Sequence, residues 1–496
     1  MWPPLVSYQK EEMCPLRISE QKVEIVFLGE KEEMIVDKCG VAGFKFKNNN
    51  VFPYLYYSLR ALQHRGQESA GMAIYSDGSI KEHRAMGLVS EVFENIYIEG
   101  NVGIGHVRYS TQGSSSIKNA QPLVMFTKIG SMAVSHNGEI ANAHELREKL
   151  MAEGHTFVTE SDSEIIAKVI SIETSKTGDF VLGIKRAMRI LRGSYSLAIL
   201  INDRLFGIRD PLGIRPLALG KVDFGYGIAS ESVAFDSLDG EFIRDVLPGE
   251  IVEVKEDGFI THARIKKKHY AHCMFEYVYF ARADSIIDGK SVYEVRKNLG
   301  RILAEEQPVD GDVVVPVPDS GRAHALGYSE KSGIPFAEGI MKNRYVERTF
   351  IMPYQEHRVA GIKLKLNPVK SVVSGKRIIL VDDSIVRGNT MLKIVNMLRK
   401  AGAKEVHVRI GSPPIIAPCY LGIDMKTRDQ FIATDRTWEE IARAINADSV
   451  GYLSIEGLVK AIGHARENLC LGCLTGEYPV RIKGEKFREV KQIEDY

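Results

Sequence analysis

Arg377-Ile-Ile-Leu-Val-Asp-Asp-Ser-Ile-Val-Arg-Gly-Asn-Thr390 begins as an apolar, β-branched run, stops on two carboxylates and turns at a glycine. From Thr390 to Lys400 the apolar residues recur at helical spacing, so the segment predicts a strand over Arg377 to Val381 followed by a helix. The same plan stands upstream, where the run Asp312 to Val317 leads through a glycine turn into a helical pattern over Arg322 to Lys331. It continues downstream in the strand-like Glu405 to Ile410. Strands alternating with helices predict an α/β domain with a parallel sheet. In such sheets ligands bind beyond the carboxyl ends of the strands, where a helix N-terminus offers unpaired N–H groups to an anion. Asp382, Asp383, Ser384, Arg387, Gly388, Asn389 and Thr390 occupy that place. Gly388 lets the backbone approach a phosphate closely, Ser384 and Thr390 supply hydroxyl donors, and the two carboxylates suit sugar hydroxyls or a magnesium-bound pyrophosphate. Taken alone, the Asp pair reads first as a capped strand-to-helix turn.

Working back toward the N-terminus, the rhythm changes at the basic stretch Lys266 to Lys268. Before it lie short strand-like segments at Ser131 to Ser135, Ser194 to Ile201, Leu205 to Arg209 and Gly225 to Ser230, separated by Gly, Pro, Asn and Asp turn signals. Helical patterns stand at Phe52 to Gln63, Ala143 to Glu153 and Asp162 to Thr174, so this half reads as α+β. A chain of 496 residues exceeds what one hydrophobic core usually holds, and the expected division is 39–268 and 269–478, with a charged tail over 479–496. With 44% hydrophobic and 26% charged residues and a net charge of +1, the composition is that of an ordinary soluble protein without the basic excess of nucleic-acid binders. Apolar runs such as Ile378 to Val381 fall far short of the roughly 20 residues needed to cross a bilayer. Residues 1–38 alternate acidic and basic side chains and fit neither a secretory nor a transit peptide, so the expected location is the cytoplasm. Six cysteines in a reducing compartment point to catalysis, metal binding or burial before disulfides.

Val381-Asp-Asp-Ser-Ile-Val-Arg-Gly388 closely resembles the phosphoribosyl pyrophosphate (PRPP) motif of type I phosphoribosyltransferases, in the form found in amidophosphoribosyltransferases. That family often has Thr at the place of Asn389, and Asn keeps both donor and acceptor. Pro316-Val-Pro-Asp-Ser-Gly-Arg322 resembles the family's pyrophosphate loop, and by resemblance Ser320, Asp382 and Asp383 would surround Mg2+. Between the motifs, Lys342 to Pro368 carries Arg344, Arg348, Arg358, Lys363 and Lys365 with few apolar anchors. Alone it reads as a solvated basic loop; in the family it is a lid over PRPP, which assigns Arg344 and Lys365 to PRPP binding.

Cys39 stands in Lys38-Cys-Gly-Val-Ala-Gly-Phe44, directly before the first strand of the first half. A lone cysteine is usually a small buried hydrophobe. However, Gln63-His-Arg-Gly-Gln-Glu68, Gly105-His-Val-Arg-Tyr-Ser-Thr111, His136-Asn-Gly138 and Ser161-Asp-Ser-Glu164 resemble, in order, the glutaminase segments of N-terminal-nucleophile amidotransferases. The resemblance runs from Cys39 to about Tyr478 and implies an αββα glutaminase sandwich followed by the phosphoribosyltransferase domain. It assigns Cys39 as nucleophile, with its own α-amino group (reference pKa about 7.7 to 8.0) as base. Asn137 and the Gly138 N–H become oxyanion donors, Arg108 the partner of the glutamine carboxylate, Asp162 that of its ammonium, and Arg65 a support of the glutamine site. This mechanism needs Cys39 at the N-terminus, so residues 1–38 would be removed or lie before the true start, for which Met34 is a candidate.

Cys470 and Cys473 form a Cys-x-x-Cys pair, which alone is open among zinc, a redox dithiol and a cluster. Segments like Cys273-Met-Phe-Glu-Tyr277, Pro418-Cys-Tyr420 and Cys470-Leu-Gly-Cys473 hold a [4Fe-4S] cluster in one branch of the family, which implies a structural or regulatory cluster on Cys273, Cys419, Cys470 and Cys473, with zinc as the alternative. Cys14 has no assigned role. The implied reaction gives 5-phosphoribosylamine, glutamate and pyrophosphate from glutamine and PRPP, with purine nucleotides as feedback inhibitors and a homo-oligomer as the expected assembly, and with neither nucleic acid nor membrane as partner. Two competing readings share parts of this pattern. A PRPP-sensing purine regulator would need a DNA-binding module and no glutaminase segments; a different amidotransferase would lack the PRPP motif.

Overall fold

The computed structural model describes residues 39–109, 115–343, 366–425, 428 and 431–482. From Cys39 onward both halves belong to one compact unit.

The first half is built on two antiparallel sheets. The first is seven-stranded, in the order Glu241–Asp245, Ala218–Val222, Gly225–Ala229, Gly40–Phe46, Val102–Arg108, Ser69–Ser76 and Ser79–Met86. The second is six-stranded, in the order Gly258–Arg264, Glu250–Lys255, Arg204–Arg209, Gly193–Ile201, Gly130–Ile140 and Leu123–Thr127. Their inner faces meet through Val41, Ile104, Leu200 and Leu205, all fully buried. Burying each such side chain stabilises the sandwich by roughly 1.5–3 kcal/mol. Outside the first sheet, the helix Phe52–Ala61 packs Leu55 and Leu59 on Phe44. Outside the second, the helices Ala143–Ala152, Asp162–Thr177 and Phe180–Ile190 pack Leu146, Ile166 and Ile184 on Tyr195 and Leu197. Four layers result, helix, sheet, sheet and helix, as the αββα expectation requires. The helix Asp162–Thr177 starts where the Ser161 hydroxyl accepts the Ser163 N–H, and it ends at Gly178 in the left-handed conformation (φ 71°). Asp162 is thereby fixed in the first turn, where a carboxylate suits the helix dipole.

The second half carries a four-stranded parallel sheet in the order Val313–Pro316, Arg377–Asp382, Glu405–Ile410 and Ser449–Tyr452. Alternate side chains of its strands go to opposite faces. Ile379 and Val381 join the core under the helices Val292–Glu306 and Arg322–Ser332, whereas Ile378 and Leu380 join the core under Asn389–Lys400. Burial of both faces explains why the segment reads as a continuous apolar run. The observed bounds differ from the sequence expectation mainly at Gly130–Ile140, a strand of 11 residues where Ser131 to Ser135 alone had a strand signal. No helix among the described residues is long and apolar enough to cross a membrane.

Candidate functional site

The strand Gly40–Phe46 pairs with Val102–Arg108, Gly40 facing Val107, so Cys39 lies beside the strand end that carries Arg108. Across the sandwich this strand packs on Gly130–Ile140, which carries Asn137 and Gly138. Cys39 is buried, and its thiol lies 3.9 Å from the Tyr109 carbonyl. Asn137 is fully buried, yet among the described residues neither its Oδ1 nor its Nδ2 has a hydrogen-bond partner. An unsatisfied buried amide costs about 1–3 kcal/mol, so a polar group kept in this state calls for an explanation such as a ligand. Gly138 adopts φ 150°, and a Cβ there would stand 2.1 Å from the Ser194 carbonyl oxygen, so no other residue keeps this backbone.

Asp162 is buried; its Oδ2 accepts the Ile140 N–H at 2.9 Å, and its carboxylate lies 3.7 Å from His136 Nδ1. It is thus tied to the strand that carries Asn137. Arg108 is buried at the end of its strand, and of an arginine's five donors its Nη1 goes to Glu68 at 2.5 Å. Glu68 ends the segment Gln63 to Glu68, but its pairing with Arg108 is a long-range contact with no sequence signal of its own. Ser110 and Thr111 lie outside the described residues. His106, two residues before Arg108, is pushed down to about 3 by burial and bonds the His136 carbonyl at 3.0 Å, so it stays neutral and structural.

Arg65 takes a position that the expected support role did not specify. Its guanidinium is fully buried behind Cys39, with Nε 3.4 Å from the Cys39 carbonyl, Nη1 on Glu231, and Nη2 on both oxygens of Glu276 at 2.8 and 3.0 Å. Salt bridges to its two acidic partners hold the charge inside the protein.

At the carboxyl ends of the parallel strands, Asp382 and Asp383 are buried side by side. The Asp383 N–H donates to Asp382 Oδ1 at 2.9 Å, and the Ser384 hydroxyl donates to Asp383 Oδ1 at 2.6 Å. The Ser320 hydroxyl also bonds Asp383, so the structure brings together the three side chains that the two motifs separate by more than sixty positions. Burial, then the neighbouring Asp383, pushes the Asp382 carboxyl well above the usual carboxylate range. Burial also raises Asp383, against the hydrogen bonds from Ser320 and Ser384 and the nearby Arg296. Two crowded, desolvated carboxylates are a donor set that a divalent cation would relieve. Gly388, at φ 90°, is the N-cap of Asn389–Lys400 and has no side-chain cap bond; Arg387 is half-buried, and Asn389 and Thr390 are exposed on the first turn. Pro318–Asp319 is a cis peptide, and Lys342 Nζ reaches Asp319 at 2.8 Å. Arg344, Arg348, Arg358, Lys363 and Lys365 lie outside the described residues.

Cys273 and Cys470 face each other in a two-strand parallel pairing, His272–Cys273 with Leu469–Cys470. Cys473 accepts the Ile416 and Ala417 N–H groups on its carbonyl, which brings in the segment of Cys419, whose Sγ accepts the Leu421 N–H at 3.4 Å. Burial pushes the Cys273 thiol up to about 12 and raises Cys470 and Cys473 too, with neighbouring thiols of the set adding to each shift. All four are free cysteines. Among the described residues no three His, Cys, Asp or Glu side chains converge on a point that would hold one metal ion.

The profile of glutamine amidotransferase domains matches residues 106–237, and that of phosphoribosyl transferase domains matches residues 284–410. The amidophosphoribosyltransferase of Methanocaldococcus jannaschii is 51% identical over 471 residues, which span 90% of this chain and 99% of the relative. That of Archaeoglobus fulgidus is 52% identical over 90% of this chain and 99% of the relative. Among solved structures, the glutamine PRPP amidotransferase of Bacillus subtilis complexed with ADP and GMP superposes with a TM-score of 0.82 at 41% identity, covering 92% of this chain and all of that one.

Proposed function

The chain belongs to the amidophosphoribosyltransferase family, which opens purine biosynthesis by moving the amide nitrogen of glutamine to PRPP, and we propose that it does so with two sites built on Cys39 and on the Asp382–Asp383 pair. Two features support this assignment: a buried Asn137 amide without partners in the glutaminase half, and the gathering of Ser320, Asp382 and Asp383 in the other half. Glutamine enters with its carboxylate toward Arg108 and its ammonium toward Asp162. Once residues 1–38 are absent, the Cys39 thiol passes its proton to the α-amino group of the same residue, and the resulting thiolate attacks the amide carbon. The oxyanion is met by the Asn137 amide and the Gly138 N–H. The α-ammonium returns its proton to the amide nitrogen as the C–N bond breaks and ammonia leaves, and water then hydrolyses the thioester to glutamate and the free thiol. In the second half, Gly388 to Thr390 cradle the 5-phosphate at the helix N-terminus, and the family resemblance assigns Arg344 and Lys365, outside the described residues, to PRPP binding. Ser320, Asp382 and Asp383 would hold Mg2+, which when bound neutralises the departing pyrophosphate. Ammonia attacks the anomeric carbon and displaces pyrophosphate. This function requires that glutamate release depends on PRPP and matches pyrophosphate release mole for mole; glutamate formed without pyrophosphate would argue against it.

Purine nucleotides are the feedback inhibitors we propose, supported by the ADP and GMP in the Bacillus subtilis structure. A homo-oligomer in the cytoplasm is the state in which we place the enzyme. For the cysteine quartet we propose a [4Fe-4S] cluster on Cys273, Cys419, Cys470 and Cys473. The donor chemistry fits: the four cysteines are free, thiols ionise on binding iron, and the Leu421 N–H already points at a sulfur. The cluster would tie the segment of Cys273 to the C-terminal one. Anaerobically purified protein is expected to be brown and to contain iron and acid-labile sulfide, with Cys470→Ser lowering thermal stability more than glutaminase activity. Colourless protein with about one zinc per chain, the four-thiolate alternative, would contradict the cluster and leave the enzyme assignment standing.

A further inference from the structure

Arg65 lies against the nucleophile from behind, and one of its two carboxylate partners comes from the other half of the chain. Glu276 opens the turn Glu276–Phe280, whose Tyr277, Val278 and Phe280 belong to the core of the second half. Its carboxylate bonds Arg65 through both oxygens, and Oε1 also accepts Arg215 Nη1 at 2.9 Å. Arg215 Nη2 in turn lies 3.4 Å from the Leu421 carbonyl. Glu231, the other partner, comes from the first half, and its Oε2 is held by the Arg282 N–H and the Ser285 hydroxyl of the second. Arg65, Arg215, Glu231 and Glu276 are all essentially inaccessible to solvent. Two arginines and two glutamates thus meet in a volume closed to solvent, with His64 Nε2 2.7 Å from Glu231 Oε1 at its edge, and the geometry of each depends on the others.

We propose that Glu276 is a positioning residue for the glutaminase reaction, a carboxylate supplied by the second half that fixes Arg65 and, through the Cys39 carbonyl, the backbone of the nucleophile. The inference rests on the assignment of Cys39 as nucleophile. A guanidinium with one carboxylate can swing toward it; with carboxylates on both sides it cannot, and its Nε stays directed at Cys39. Displacement of a reacting group by about 1 Å costs up to about 10²-fold in rate. The glutaminase half is therefore incomplete without the segment that begins at Cys273.

Glu276→Gln removes the charge, and Glu276→Gln with Arg215→Met removes one charge of each sign, which keeps the buried balance if the single variant fails to fold. Glu276→Asp keeps the charge and shortens the reach. In the folded variants, glutamine-dependent kcat should fall about ten- to hundredfold for the two Gln-bearing variants and less for Asp. KM for glutamine should stay within about threefold, and ammonia-dependent synthesis within about twofold. Alkylation of Cys39 by a glutamine-shaped chloroketone should slow by the same factor as kcat, a readout that a loss of general stability would not single out. Wild-type glutamine-dependent kcat in either Gln-bearing variant, or equal loss of both activities, would overturn the proposal. Glutamine-dependent activity surviving in Cys39→Ala would instead remove the nucleophile assignment.

Discussion

Cys39→Ala is expected to abolish glutamine-dependent synthesis of phosphoribosylamine, by at least about 10⁴-fold, and to leave synthesis from concentrated ammonia at alkaline pH within about twofold of the native enzyme. The size of the loss follows from chemistry. Without a thiolate no thioester forms, and the proposed oxyanion donors, Asn137 and the Gly138 N–H, would have no tetrahedral centre to stabilise. The survival of the second activity follows from architecture, because Cys39 packs in the antiparallel sandwich while Asp382 and Asp383 stand on a separate parallel sheet. The change replaces a thiol by hydrogen on one small buried side chain and adds no bulk, so the fold should persist. Alkaline pH matters because it raises the fraction of ammonia in the unprotonated, nucleophilic form. Loss of both activities in folded protein would contradict the division of labour.

Asp383→Asn and Asp382→Asn act on the other half and should lower synthesis from glutamine and from ammonia alike, on the order of 10²-fold or more, since both nitrogen sources meet at one sugar carbon. Asn keeps the shape and the hydrogen bond from the Asp383 N–H but removes the negative charge that Mg2+ or the ribose hydroxyls require. Cys39 alkylation by a glutamine analogue should continue in both variants. Native rates with ammonia would remove the PRPP assignment.

Much of this was legible in the sequence wherever the signal is local. Arg377–Asp382 is an apolar run ending on carboxylates, and its strand is observed one residue longer than the pattern predicts. Glu405–Ile410 has the expected bounds. Gly130–Ile140 was legible only over its apolar start, because His136, Asn137, Gly138 and Glu139 have no strand signal and are ordered by pairing with Gly193–Ile201, a partner distant in sequence. Arg65 shows the same limit more sharply. Its carboxylate partners are 166 and 211 positions away, so no window of sequence reveals that its side chain serves the interior behind Cys39. Glu276 was visible only as a neighbour of Cys273 in a motif read for its cysteine.

The most direct measurement gives the native protein PRPP, magnesium and glutamine labelled with 15N in the amide, in the presence of excess unlabelled ammonium near neutral pH, and reads the isotope in trapped phosphoribosylamine. The account predicts that the product carries the 15N of glutamine, that no glutamate forms without PRPP, and that glutamate and pyrophosphate appear in equal amounts. Product carrying the isotope ratio of the bulk ammonium, or glutamate released without pyrophosphate, would contradict it.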